Sequence, residues 1–326
     1  MEVKNIAVLG PRGTVGKAII ANLIKHGARF NIVAVTRPTS TYELPSDGAT
    51  NITHRTADFS SLESLTEAFA VQDTVLNCIS GCATQYEPTK LIIDAAVAAG
   101  VKFYFANEFV GKVDSEQYRR MPEAFIGSKI RTRELLGELS REGKIQWTAL
   151  NGGPFFDMWL MKGPAGFDIP NKHVRIYGTG NNPLFWTPLS VIASTAVTMI
   201  LNPSLCQNRP VYIAPIPNLT QNTILKAVES VLSIKLSVEH VDIEKINRHA
   251  RIALERGEAG KAMKGLAIGG QFYEGDAGND FSAWVENEKF GVKEISLEDA
   301  IRDAVETWGL DTPVVEAMYR IEACEI

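Results

Sequence analysis

The chain has 326 residues, 45% of them hydrophobic and 22% charged, with a formal charge of −5, which is the profile of an ordinary soluble globular protein of about two domains. That charge offers nucleic acid no general attraction, and no apolar run approaches the ~20 residues that a membrane span needs. The four cysteines, Cys78, Cys82, Cys206 and Cys324, form no C-x-x-C pair, and the first predicted strand starts too close to Met1 to leave room for a cleaved leader, so a reduced, cytoplasmic protein is expected.

Taken in order, Lys4 to Leu9 reads as a short apolar strand, Gly10-Pro11-Arg12-Gly13-Thr14-Val15-Gly16 as a glycine-rich turn, and Lys17 to Ile24 as a helix. Strand, glycine turn and helix in that order open a dinucleotide-binding βαβ unit, although the spacing is G-x-x-G-x-x-G rather than G-x-G-x-x-G. Gly10 is expected to permit the tight turn, Gly13 to let the backbone approach a pyrophosphate, and Gly16 to let helix and strand pack closely. Thr14 and Val15 of the turn are placed with the cofactor, whose anion would sit on the free N–H groups of the helix N-terminus.

Asn31 to Thr36 is the second strand and ends at Arg37. An acid at that point would bind a ribose 2′-hydroxyl, whereas an Arg accommodates a 2′-phosphate. With Arg12 as a second guanidinium, the pair argues for NADP(H) over NAD(H). Asn51 to Arg55 is a third strand followed by Asp58, and Ser61 to Ala70 a helix capped by Ser60 or Ser61. Thr74 to Ile79 is the fourth strand and breaks at Ser80-Gly81, where the nicotinamide side of the cofactor would pass. Asp58, Ser80, Gly81 and Gln85 are therefore placed with the cofactor. Pro88 to Ala99 is a helix stopped by Gly100, Lys102 to Ala106 the fifth strand, Glu123 to Arg141 a helix and Ile145 to Leu150 the sixth strand. This alternation predicts an α/β fold, a Rossmann doubly wound parallel sheet with a smaller α/β C-terminal substrate lobe. Residues 1–155 are read as the NADP-binding domain and 156–326 as the substrate lobe, with some later segments returning to the first sheet.

Tyr86 and Lys90 have the Y-x-x-x-K spacing of short-chain dehydrogenase catalysis, but follow the fourth strand rather than the fifth. Pro88 is expected to spoil the turn that would align them. Lys129 is the stronger candidate, because Phe125, Lys129, Thr132 and Leu136 fall on one helical stripe. An amine on such a stripe either snorkels to water or is desolvated for function, and desolvation would lower its pKa towards neutrality.

Three further segments, Asn107-Glu108-Phe109-Val110-Gly111, Phe125 to Arg133 and Asn151-Gly152-Gly153-Pro154-Phe155-Phe156, join the glycine turn and Arg37 in a pattern that resembles the NmrA-like and isoflavone-reductase-like branch of the atypical short-chain dehydrogenases. That branch includes phenylcoumaran benzylic ether and pinoresinol-lariciresinol reductases. The resemblance covers residues 1–160 and continues faintly through Ile176 to Gly180 and Thr187 to Val191. It implies that Lys129 is the catalytic acid or base, that Asn107, Glu108 and Phe109 stand where the family has S-E-F, and that Asn151 lies beside the nicotinamide. Pro154 and Phe155 go with it.

In the second half the predicted helices are Leu189 to Leu201, Thr220 to Leu232, Asp242 to Lys264 (broken near Gly257) and Leu297 to Trp308, with a strand at Val211 to Ala214. Tyr86, Phe109, Met158, Trp159, Trp186 and Phe272 are the candidate substrate contacts, suited to a flat aromatic or polyketide-like molecule. His173, His240 and His249 lack metal-ligand spacing. The expected activity is NADPH-dependent reduction, in secondary metabolism, of a conjugated or aromatic small molecule. Two alternatives stay open: ring formation or cyclisation in the same pocket, and a non-catalytic redox sensor that binds a protein partner. A homodimer is left open as well.

Overall fold

The computed structural model describes residues 2–45, 51–79, 85–276 and 278–326, with the backbone alone at 124 and 125. The chain forms two compact units. One comprises Met1–Phe109, Glu123–Asn151 and Ser190–Val211, and the other Val110–Pro122, Gly152–Leu189 and Tyr212–Ile326. In chain order the strands are β1 (Asn5–Leu9), β2 (Asn31–Thr36), β3 (Ile52–Thr56), β4 (Thr74–Asn77), β5 (Phe103–Ala106), β6 (Gln146–Asn151), β7 (Phe167–Asp168), β8 (His173–Tyr177), β9 (Arg209–Tyr212) and β10 (Ser237–Val241).

The first unit is built on a seven-stranded sheet of order β3-β2-β1-β4-β5-β6-β9. Strands β1 to β6 pair in parallel. The central strands are buried and largely apolar, as Ile6 to Leu9 and Phe103 to Ala106 show, and this is what a parallel sheet covered by helices on both faces requires. The order reverses between β1 and β4. Such a switch point leaves a crevice outside the carboxyl ends of the strands, which is where ligands bind in this architecture. The doubly wound α/β fold expected from the alternation is therefore the observed one.

Local chemistry sets the element ends. Ser61, not Ser60, caps the helix Leu62–Ala68, its Oγ accepting from the Ser64 N–H at 3.2 Å. Gly100, at φ +74°, stops the helix Tyr86–Ala98. Two predicted boundaries moved. The helix expected from Glu123 begins as a π-helical turn, Glu123–Gly127, and only Ser128–Arg141 is α-helical. The strand expected at Val211 to Ala214 is β9, two residues earlier, and it lies at the edge of the first sheet next to β6.

The second unit has a three-stranded sheet of order β10-β8-β7, with β8 parallel to β10 and antiparallel to β7. Its core joins Phe156, Phe167, Tyr177, Trp186 and Phe272. The long helix predicted over Asp242 to Lys264 is two helices, Ile243–Glu255 and Ala259–Phe272, and the break contains Gly257 at φ +78°. Arg175 of β8 is buried, yet its guanidinium reaches Glu239 and Glu322 and the carbonyls of Tyr319 and Ile321, so the last residues of the chain are tied to the sheet. Among the described residues no helix is long and apolar enough to cross a membrane.

Candidate functional site

The glycine turn works by backbone clearance. Gly10 sits at φ +72°, and a Cβ there would lie 2.7 Å from the Cys78 carbonyl oxygen at the end of β4. Only glycine takes both the conformation and the space. Gly13 N–H donates to the Gly10 carbonyl at 3.0 Å and closes the turn. A Cβ on Gly16 would stand 2.3 Å from that same carbonyl oxygen. Gly16 therefore lets the helix approach the turn, whereas the sequence suggested close packing against the strand. The helix Thr14–Ile24 begins at Gly13 with no side-chain cap, so its first N–H groups keep their capacity for an anion.

A cleft of about 1090 Å³ opens over this turn, at the carboxyl ends of β1 to β4. It brings together Gly10, Arg12, Gly13, Arg37, Asp58 and Gln85, six of the residues singled out from sequence. Arg12 and Arg37 are exposed, and among the described residues neither guanidinium has a hydrogen bond or ion pair. Asp58 is turned to its own loop: Oδ1 accepts from the Ser60 N–H at 2.9 Å and from its hydroxyl at 2.6 Å. The Ser60 hydroxyl and then the Ser60 N–H lower its pKa. Ser80 and Gly81 lie outside the described residues. A glycine cradle that any Cβ would fill, uncapped helix N–H groups and two unpaired guanidiniums fit a phosphorylated dinucleotide.

The second cluster stands at the carboxyl end of β5 in the same unit. Lys129 Nζ donates to the Asn107 carbonyl, and Asn107 Nδ2 donates to the Ile79 carbonyl at the end of β4. Of the predicted stripe, Thr132 and Leu136 are buried and Lys129 is partly buried beside them, while the Phe125 side chain lies outside the described residues. Removal from water lowers the Lys129 pKa to about 8, against the opposing pull of the Glu108 carboxylate. Glu108 is 3% exposed. Its Oε1 accepts from Arg133 Nε at 2.9 Å, and its Oε2 from Arg133 Nη2 at 2.5 Å and from Asn151 Nδ2 at 2.6 Å. Phe109 follows in the left-handed region at φ +46°, its N–H donating to the Leu150 carbonyl at 3.0 Å and its ring stacked on Phe105. A left-handed conformation in a bulky residue is strained, and such strain collects at functional sites.

Tyr86 and Lys90 each engage another side chain. Pro88 does not break the helix as expected, because it lies in the first turn of Tyr86–Ala98, where no N–H partner is needed. Lys90 instead pairs with Asp94 at 2.6 Å, and the Tyr86 ring lies 3.7 Å beneath the Arg131 guanidinium. Met158, Trp159, Trp186 and Phe272 belong to the second unit, as do Pro154 and Phe155. Trp186 and Phe272 are core there, the indole N–H donating to Gln271 Oε1 at 2.8 Å, and Met158 and Trp159 are half-buried. Arg133 went unnoticed as a site residue. The available signal was its place four residues after Lys129, on the same face of the helix.

Together, a doubly wound parallel sheet, a glycine turn at its switch point and an anion-ready helix start define a Rossmann-type nucleotide-binding fold. Residues 2–150 match the model of the NmrA-like family, so the resemblance read from the glycine turn, Arg37 and the Lys129 helix holds over that stretch. The chain is 28% identical over 258 residues to the oxidoreductase aprR of Aspergillus flavus, covering 79% of this chain and 83% of that one. Its fold matches a crystal structure of isoflavone reductase (TM-score 0.67, 23% identity, 93% of this chain and 95% of that one). It also matches the structure of AtPrR2 with NADP⁺ and (+)-pinoresinol (TM-score 0.70, 19% identity, 94% and 99%).

Proposed function

We propose that the chain is an NADP-dependent oxidoreductase that reduces a conjugated or aromatic small molecule, with Lys129 as its general acid. The observation that carries this reading is the Lys129 amine, held out of water at the end of β5, with its pKa lowered to about 8, in the unit that also carries the glycine cleft. The name of the Aspergillus flavus relative and the ligands of the AtPrR2 structure support the same reading.

A bound nicotinamide nucleotide supplies a hydride. The chain's own residues do the rest. The amides that follow Gly13 would hold the pyrophosphate, and Arg12 and Arg37 would grip the 2′-phosphate that separates NADPH from NADH. Lys129 is mostly protonated at neutral pH, and it gives a proton to the acceptor atom on which negative charge develops, so that hydride and proton together complete the reduction. Positioned proton transfer of this kind contributes typically ~10²–10⁴-fold to rate.

Lys129→Ala is expected to cut NADPH-dependent turnover by about that factor while leaving NADPH affinity within about twofold. The check is steady-state NADPH consumption with a panel of enones, quinones and imines, beside a fluorescence titration of the cofactor. An unchanged rate in the variant removes Lys129 from the mechanism. Tight NADPH binding with no turnover on any acceptor favours the sensor reading instead, and a product isomeric with its substrate selects cyclisation.

A further inference from the structure

Glu108 has a choice of cations. Its carboxylate is buried at the end of β5, with Lys129 and Arg133 presented by one helix a single turn apart. A buried carboxylate next to a largely desolvated amine ordinarily forms an ion pair with it, which would hold the proton on the amine and end its use as a donor. That pairing is not what forms. Both Glu108 oxygens face the Arg133 fork, at 2.9 and 2.5 Å, and the second also receives the Asn151 amide at 2.6 Å. Lys129 is left with a backbone carbonyl, that of Asn107, as its partner.

We propose that Arg133 is a positioning residue for Lys129: by clamping Glu108 against Asn151 it keeps that carboxylate from pairing with the amine, which stays free to exchange a proton. The proposal rests on the reading of Lys129 as the acid, but it concerns this chain's own residues and is measurable without turnover. A planar fork suits the task, because it takes both oxygens in one fixed plane where an ammonium would take one.

The charges around Lys129 support an electrostatic account. Among the described residues, the charge that acts on it is that of Glu108, just beyond β5. The groups around the small cavity beside the amine, Thr89 from the helix Tyr86–Ala98, Ala106 and Asn107 at β5, and Thr132 on its own helix, are uncharged. Elsewhere on that helix Arg131 is occupied by Glu123 at 2.6 Å and by Glu87.

The test is the titration of Lys129 in the full chain without cofactor, by NMR of reductively ¹³C-methylated lysines, with the Lys129 signal assigned by its absence in Lys129→Arg. Arg133→Met releases the Glu108 charge towards the amine and is expected to raise the Lys129 pKa by about one unit or more, whereas Glu108→Gln removes that charge and lowers it. Arg133→Lys keeps the charge but loses the fork, and gives a smaller rise. Opposite signs are the deciding feature, because mere loosening would admit water and raise the pKa in all three variants. A rise in Glu108→Gln, or a parent-like titration in both Arg133 variants, overturns the proposal. Should Arg133→Met fail to fold, Arg133→Lys and Glu108→Gln still decide the sign. Turnover is measured alongside. If the NMR shifts occur but the alkaline limb of the pH–rate profile does not follow them, Arg133 keeps its positioning role and Lys129 loses its catalytic one.

Discussion

Lys129 shows what holding an amine away from water costs the fold. Its ammonium loses water on folding and receives the Asn107 carbonyl in return, so its pKa falls from the ordinary 10.5 of a lysine to about 8. The unfolded chain therefore binds more protons than the native one between pH 8 and 10.5, and stability due to this group rises with pH across that window. Below pH 8 the full penalty is present; above 10.5 both states are neutral and it is gone. Lys129→Met is accordingly expected to be more stable than the parent by about 1–3 kcal/mol at pH 7. Its advantage should shrink to near zero above pH 10.5, as read from urea unfolding of both proteins across pH. A variant less stable than the parent at pH 7 would mean that the amine is well solvated or paired after all. Much of this residue's setting was legible, because the stripe Phe125, Lys129, Thr132, Leu136 follows from helical spacing alone, and the structure describes Thr132 and Leu136 as buried. The role of Arg133 was not, since which of two neighbouring cations takes a carboxylate depends on a fork's geometry and not on spacing. Nor was the left-handed φ of Phe109, which nothing in a Phe side chain announces.

At the scale of elements, the turn Gly10 to Gly16 joins β1 to its helix through backbone-to-backbone contact. The Gly16 Cβ position lies 2.3 Å from the Gly10 carbonyl oxygen. No flexible side chain can yield there, so Gly16→Ala must push the helix start off the turn. That variant is expected to lose about 1–3 kcal/mol of stability and at least tenfold in NADPH affinity, measured by thermal melting and titration; parent-like binding would show that the turn does not hold the cofactor. The glycines, the strands β1 to β6 and the helices Leu189–Leu201 and Leu297–Trp308 were readable in the sequence, because apolar runs and caps mark them directly. The second sheet was not. Its strand β10 runs Ser237 to Val241 with Ser237, Val238 and His240 exposed, so it lacks the alternation that betrays a half-buried strand. The π-turn at Glu123–Gly127 also escaped notice, since its composition is that of an ordinary helix start.

At the scale of the molecule, the sheet's switch point sets the location of the cleft before any side chain is considered, and the side chains then select the ligand. Arg12 arrives from the glycine turn and Arg37 from the end of β2, the two guanidiniums that in the sequence argue for a 2′-phosphate. The aromatic candidates Trp186 and Phe272 proved to be packed in the second unit's core, where sequence cannot separate a buried pocket wall from buried packing. The account therefore stands or falls on which dinucleotide the first unit holds. Isothermal titration calorimetry of the parent and the Arg12→Ala/Arg37→Ala variant with NADPH and with NADH tests this directly. The parent is predicted to bind one NADPH per chain and to prefer it to NADH by about 10–100-fold, a preference that the variant loses through weaker NADPH binding while NADH affinity stays the same. Absence of NADPH binding to the parent, or equal affinity for the two nucleotides, would contradict it.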